Sequence, residues 1–256
     1  MDTQVLNHQP EASRYTAGFR ALWLAFLLVW ATFYHLSSLI YTKLKGAFTK
    51  DPLVQDHLHQ VACSWAKFVF QWAPWWDIDL VGLDNIPRDG KPRVIVVNHE
   101  SATDIFALYY TGLQFRWLAK ASVFKIPIIG MAMRWIGYVP VHRGQSASRK
   151  EALESSTQVL NAGRSMLFFP EGTRSETGEF REFKTGAFRL AQTADVELLP
   201  VVLKGAGKLL RKGSIIPERA IIRMEVLPPV KPRTDEALDD LVARVRNQMI
   251  KAHKSA

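Results

Sequence analysis

Between residues 21 and 41 the chain carries no Asp, Glu, Lys or Arg, and most positions are Leu, Ala, Val, Phe or Trp. A helix of about 20 apolar residues matches the hydrocarbon thickness of a bilayer, so this run demands either a membrane or a deep protein cover. Cations stand on both sides of it, Arg14 and Arg20 before, Lys43 and Lys45 after. A second apolar stretch, 61–76, holds Trp65, Trp72, Trp75 and Trp76, so six of the eight tryptophans precede position 77. Trp beside cations suits the headgroup region, and Thr32, His35, Ser37 and Ser38 dilute the first run. A pair of helices lying in or dipping into one leaflet therefore competes with a single span. No small-residue cleavage site follows the run, which predicts a retained anchor rather than a signal peptide.

The character of the chain changes after Asp77. Gly82, Asn85, Pro87, Asp89, Gly90 and Pro92 break the helical pattern around a short strand at 78–81. Beyond lie apolar strand-like runs at 94–97, 115–118, 138–141, 166–169, 198–203 and 221–227. They alternate with helical stretches, the clearest at 148–162, stopped by Gly163, and at 235–254. The pattern predicts an α/β fold, a β-sheet flanked by helices, with a domain boundary near 77.

A chain of 256 residues can bury the core of one such domain without disulfides. Cys63 is its one cysteine, which excludes an intramolecular disulfide, and no Cys/His grouping offers a closed zinc site. His57 and His59 read as exposed helix residues rather than ligands. The net charge of +9, with pI ≈ 9.7, calls for an anionic partner: nucleic acid, an acidic membrane surface or a phosphorylated substrate.

Chemistry concentrates where strands end. Asn98-His99-Glu100-Ser101-Ala102-Thr103-Asp104 directly follows the run 94–97. Five residues on one continuous helix would turn two side chains about 140° apart, so His99 and Asp104 can meet only if His99 lies in the exit turn and Asp104 in the first helical turn. An imidazole whose Nδ1–H is held by a carboxylate keeps Nε2 free to take a proton from a hydroxyl. The backbone N–H groups of Glu100, Ser101 and Thr103 are candidates to help bind an oxyanion, though sequence does not place them. His142 reads as structural.

A second block, Phe169-Pro170-Glu171-Gly172-Thr173-Arg174-Ser175, ends another apolar run. Gly172 would let backbone N–H groups approach an anion, Arg174 can grip phosphate oxygens with its fork, and Glu171 can orient that Arg or a hydroxyl. Strand ends in α/β sheets gather ligand sites, so both loops are expected to face one crevice. Lys120 and Arg143 are candidates to add positive charge there, and Phe183-Lys184-Thr185-Gly186 opens a further helix.

Taken in order, these blocks resemble the glycerolipid acyltransferase family, whose members include 1-acylglycerol-3-phosphate acyltransferases. His99 and Asp104 match its H-x-x-x-x-D motif, 120–143 looks like its second block, 169–175 its acceptor-phosphate block and 199–202 its fourth. The match covers roughly 78–227. The resemblance implies a mixed β-sheet flanked by helices of the glycerol-3-phosphate acyltransferase type, preceded by a membrane-associated helical element over 1–76, with 77–256 as catalytic domain. It implies His99 as base, Asp104 as its orienter, and Lys120, Arg143, Glu171, Gly172, Thr173 and Arg174 around the acceptor. Acyl-CoA or acyl carrier protein would be co-substrate, with no metal or other cofactor, at a membrane's cytoplasmic face. The expected reaction acylates 1-acylglycerol 3-phosphate, a lysophosphatidic acid, to phosphatidic acid.

Other acceptors, including glycerol 3-phosphate and other lysolipids, remain open from sequence, as does a non-catalytic protein that binds anionic membrane phospholipids. Nucleic acid is disfavoured because the basic residues are scattered and most aromatics sit in the apolar N-terminal part. No G-x-S-x-G elbow occurs, and Cys63 lies in the membrane element, so a covalent acyl-enzyme is not indicated. Gly205-Ala206-Gly207-Lys208 fails the Walker pattern at Val202 and Leu209, and threonine at 103 breaks H-E-x-x-H.

Overall fold

The computed structural model describes residues 16–142, 146–175, 177–209 and 216–255. Two long helices open the chain, α1 (Ala17–Thr49) and α2 (Val54–Trp72). Thr16 caps α1 by accepting the Phe19 N–H at 3.3 Å. Lys50 ends it in the left-handed region, its N–H reaching back to Gly46 O. The return into α2 needs Gly46, because a Cβ there would run into the Val54 side chain. Trp23 Nε1 donates to Trp72 O at 2.8 Å, tying the far ends of the hairpin together.

The strands are β1 (Trp76–Val81), β2 (Val94–Val97), β3 (Phe115–Lys120), β4 (Val139–Val141), β5 (Ser165–Phe168), β6 (Leu198–Lys204) and β7 (Ala220–Val226). They form one sheet in the order β1-β7-β6-β2-β5-β3-β4. Neighbours are parallel except β6 and β7, so β1 and β7 run against the other five. The sheet is thus mixed. The helices between and after the strands are α3 (Asp104–Tyr110), α4 (Ile129–Ile136), α5 (Ser146–Asn161), α6 (Gly186–Thr193), α7 (Ala206–Leu209) and α8 (Leu238–Ser255).

Central strand β2 is buried along its length, which is why 94–97 reads as an unbroken apolar run rather than an alternating one. Ile95 and Val97 face one core with Leu199, Val201 and residues of α1 to α4; Val94 and Val96 face another with Leu198, Val202 and residues of α5, α6 and α8. The first core runs without interruption from Leu24 and Leu27 of α1 through Leu58 and Ala66 of α2 to the sheet.

One sequence expectation needs correction, and one helix has no signal in the sequence. His59 is fully buried, not exposed: its ring nitrogens meet Tyr138 Oη at 2.9 Å and Leu113 O at 2.7 Å. Both partners lie more than fifty residues away, so nothing local betrays them. Burial holds the His59 pKa down at about 4, leaving it neutral. Helix α4 is the one without a signal: nothing in the block 120–143 announces it, because its eight residues are too short for a clear period.

Helix α1 is 33 residues long, with a mean hydropathy of 1.6 over its most apolar window, and is long and apolar enough to cross a membrane. Its outer face carries Leu22, Val29, Phe33, Tyr41 and Phe48, all more than half exposed.

Candidate active site

Chain direction places the site. Strands β2, β3 and β5 run parallel, and their C-terminal ends present His99 in the loop after β2, Lys120 as the last residue of β3 and the 169–175 block in the loop after β5. His99 sits in the exit turn, and Asp104 is the first residue of α3, as the spacing requires.

His99 Nδ1 and Asp104 Oδ2 are 2.7 Å apart. Asp104 is completely buried, and its carboxylate also accepts the N–H of Glu100 at 2.9 Å and of Ser101 at 3.0 Å. A carboxylate already taking backbone donors can only accept again, so the proton of the pair belongs on Nδ1 and the lone pair on Nε2. The ring itself is held from one face by Phe169, stacked at 4.1 Å between centroids and 23° between planes.

The backbone around His99 is equally fixed. Its N–H donates to Glu171 Oε1 at 2.9 Å, and its carbonyl accepts from Ser175 N at 2.7 Å. Glu171 Oε2 takes the Arg181 N–H at 3.1 Å. The buried Glu171 therefore spends both oxygens inside the protein, joining the loops after β2 and β5. Burial raises its pKa, against the lowering pull of the two N–H donors. Asn98 clamps the loop to β6: its Nδ2 donates to Leu203 O at 2.8 Å and its Oδ1 accepts Leu203 N at 2.7 Å.

The backbone groups expected to meet an oxyanion are already engaged. Glu100 N and Ser101 N go to Asp104, and Thr103 N approaches Ser101 Oγ at 3.3 Å. They order the carboxylate instead. Gly172 adopts φ 71° and gives its N–H to Phe169 O at 3.0 Å, and the Lys184 side chain fills the space that a Cβ there would occupy. The loop is closed on itself there, with Lys184 packed against it.

A cavity of about 720 Å³ opens beside His99, within the range that holds small ligands. Lys120 and Arg174, both exposed, share its wall with His99. From there it follows Ala102, Ile105 and Tyr109 along α3, passes Met133 and Ile136 of α4, and is closed on another side by Leu28, Leu36 and Leu39 of α1. Its lining is overwhelmingly apolar away from the mouth. Thr173 is exposed on the same loop as Arg174. Arg143 lies outside the described residues; exposed His142 gives its N–H to Ser148 Oγ at 2.9 Å. Among the described residues no group of three or more His, Cys, Asp or Glu is placed to hold a metal ion.

Sequence reading passed over Glu100 and Phe169. Glu100 is buried next to Asp104, accepts the Gly207 N–H at 3.1 Å and faces His253 of α8 at 3.6 Å. Burial, with the Asp104 charge adding, pushes its pKa up to about 7. An acidic residue between His99 and Asp104 gives no local sign that it will be buried.

The chain is 39% identical over 164 residues to a chloroplastic 1-acyl-sn-glycerol-3-phosphate acyltransferase of Arabidopsis thaliana, 64% of this chain and 46% of that one. It is 31% identical over 178 residues to a 1-acyl-sn-glycerol-3-phosphate acyltransferase of Borreliella burgdorferi, covering 68% and 70%. It spans about half the length of the plant and algal relatives it matches. In fold it is similar to the crystal structure of a 1-acyl-sn-glycerophosphate acyltransferase from Thermotoga maritima, with a TM-score of 0.79 over 93% of this chain and 96% of that one at 22% identity. The acyltransferase family model matches residues 77–204, the stretch that holds the dyad, the Arg174 loop and the central strands, and the chain belongs to that family.

Proposed function

We propose that the protein transfers a fatty acyl group from a thioester, coenzyme A or acyl carrier protein, to the free hydroxyl of 1-acylglycerol 3-phosphate, yielding phosphatidic acid. One observation carries this reading: a buried carboxylate orients His99 at the point where an apolar cavity meets two exposed cations. The relatives' names supply the acceptor class.

In this mechanism His99 Nε2 takes the acceptor's hydroxyl proton as its oxygen attacks the thioester carbonyl. Asp104 stabilises the imidazolium that forms. The tetrahedral intermediate collapses with cleavage of the C–S bond, and the proton returns from His99 to the departing thiolate. Arg174 and Lys120 hold the acceptor phosphate, Arg174 through paired N–H donors. The apolar cavity takes the acyl chain. Glu171 acts as a positioning residue through the His99 backbone, and Gly172, Thr173 and Arg143 complete the acceptor loops.

The two N-terminal helices, within 1–76, serve as the membrane-anchoring element, and the body 77–256 works at the cytoplasmic face, where thiol-carried donors occur. Membrane phospholipids and the lysolipid are then its partners, and no cofactor beyond the co-substrate is needed.

The test is thiol release by detergent-purified protein given oleoyl-coenzyme A and 1-acylglycerol 3-phosphate. Acceptor-dependent release in the wild type, reduced about 10²- to 10⁴-fold in His99→Ala, supports the reading. Equal rates in both proteins sink His99 as the base. Arg174→Ala separates acceptors: a rise in KM confined to phosphate monoester acceptors supports lysophosphatidic acid, and an equal rise for a headgrouped lysolipid overturns that choice.

A further inference from the structure

Away from the catalytic mouth, a second cavity of about 630 Å³ lies between α1 and α2. Its chemistry is the opposite of the first. Tyr34, Ser38, Tyr41 and Lys45 recur every three or four residues, so they form one stripe along α1. His57 and Gln60 face them from α2, again at helical spacing. The two stripes make a polar groove along a helix pair that also exposes large apolar side chains, Leu44 and Phe48 of α1 among them.

Polar side chains on a helix pair that meets a membrane mark a wet cavity or a polar ligand, because hydrocarbon leaves them unsatisfied. Several of these donors lack an internal use. Among the described residues the side chains of Lys45 and Gln60 take no hydrogen-bond or ion-pair partner. Asp51, the groove's carboxylate, is already committed: Oδ1 accepts Leu53 N at 2.8 Å and Oδ2 meets His57 Nδ1 at 3.0 Å. The unspent groups are the Lys45 ammonium, the hydroxyls and the Gln60 amide, a set that fits a phosphate with several acceptor oxygens, with the Asp51 carboxylate turned to Leu53 N and His57.

We infer that the α1–α2 groove binds the phosphate-bearing headgroup of an anionic membrane phospholipid, at a site separate from the acceptor site at Arg174. Lys45 contacts the phosphate, and the hydroxyls of Tyr34, Ser38 and Tyr41 with the Gln60 amide satisfy its remaining oxygens and the glycerol linkage. The chains of that lipid lie against the exposed apolar face of α1, where Tyr41 is 65% and Phe48 92% exposed. These flanks favour a lipid over free phosphate. His35 and Val61 line both cavities, so an occupied groove stands directly behind the wall of the acyl cavity. The inference rests on the membrane-facing reading of α1 and not on the identity of the acyl acceptor.

Native mass spectrometry of the detergent-purified full chain with dioleoylphosphatidylglycerol tests it, with vesicle flotation alongside. The expected result is retained lipid in the wild type and about tenfold weaker retention in the Lys45→Ala/Gln60→Ala variant, the scale of losing one charge-assisted hydrogen bond. Lys43→Ala, which removes the same charge outside the groove, and His99→Ala stay within about twofold of wild type. Retention unchanged in the double variant, or equally weakened by Lys43→Ala, overturns the groove. So does equally tight binding of dioleoylphosphatidylcholine, and displacement by millimolar inorganic phosphate makes it a free-anion site instead. Loss of flotation in every protein, wild type included, overturns the membrane-facing reading and this inference together. Lipid retention with no acyl transfer overturns the proposed activity alone.

Discussion

Glu171 accepts the backbone N–H of His99 at 2.9 Å, so a carboxylate from the loop after β5 holds the catalytic candidate on the loop after β2, 72 residues away in sequence. Its other oxygen is held by Arg181 N. The two loops are thereby joined into one rim around His99.

That bond separates two roles for Glu171. As a brace, Glu171→Ala lowers kcat about 10- to 100-fold, the scale of a lost buried hydrogen bond to a positioned group, and leaves the acceptor KM within about twofold. Steady-state kinetics with lysophosphatidic acid decide. An acceptor KM raised at unchanged kcat moves Glu171 into the substrate site.

Asp104→Asn keeps the size of the side chain but offers an amide to a ring that needs an acceptor. The His99 tautomer reverses or the contact breaks, and kcat falls by about 10³- to 10⁴-fold, as for a triad carboxylate. Circular dichroism separates this from unfolding: a native spectrum with a rate within tenfold of wild type contradicts the orienting role.

Two buried groups set opposing pH slopes on stability. The Glu100 pKa is raised from an ordinary 4.5 to about 7, so its favourable contribution is full below pH 4.5 and is lost as pH climbs through 7. The His59 pKa is lowered from 6.5 to about 4, so its contribution is full above pH 6.5 and is lost as pH falls through 4. Between those limits the slopes oppose each other. Glu100→Gln removes one of them and raises stability at pH 8.5 by about 2–3 kcal/mol, roughly 4–10 °C in Tm, with little change at pH 4.5. Thermal melts of both proteins at the two pH values check this; an equal shift at both would assign the effect to packing instead.

Ala132 lines the apolar cavity on α4. Replacing it with Phe fills part of that volume, and the expected outcome is a preference moved toward shorter acyl thioesters by at least about tenfold in relative kcat/KM, on the scale of one or two methylenes of pocket space. Competition between decanoyl- and palmitoyl-coenzyme A measures it. An unchanged ratio would place the acyl chain elsewhere.

What the chain discloses before folding depends on how far apart the partners are. The strand runs at 94–97 and 198–203 are visible because both faces of the central sheet are buried, and the observed β2 and β6 match them to within one residue. His99 and Asp104 are visible because a turn and one helical turn bring them together locally. Arg116 is different: it is 1% exposed, paired at 2.6 Å with Asp56 on α2, which Arg164 also reaches at 2.9 Å. Three charges, from α2, β3 and the turn before β5, converge there, and no spacing rule connects them. The same holds for Glu171 and His99, for His59 and Tyr138, and for the cavity, whose wall draws on α1, α2, α3, α4 and three strands' loops.

Because Leu28, Leu36 and Leu39 of α1 wall the apolar cavity beside His99, the helix cannot be treated as a detachable leash. A shortened protein made soluble by removing residues 17–49 would keep the hydrogen bonds around His99 yet present an open trough where the full chain has a sleeve. Detergent tails would settle into that trough as readily as a fatty chain, and an inactive truncation would then report on its missing wall rather than on its chemistry.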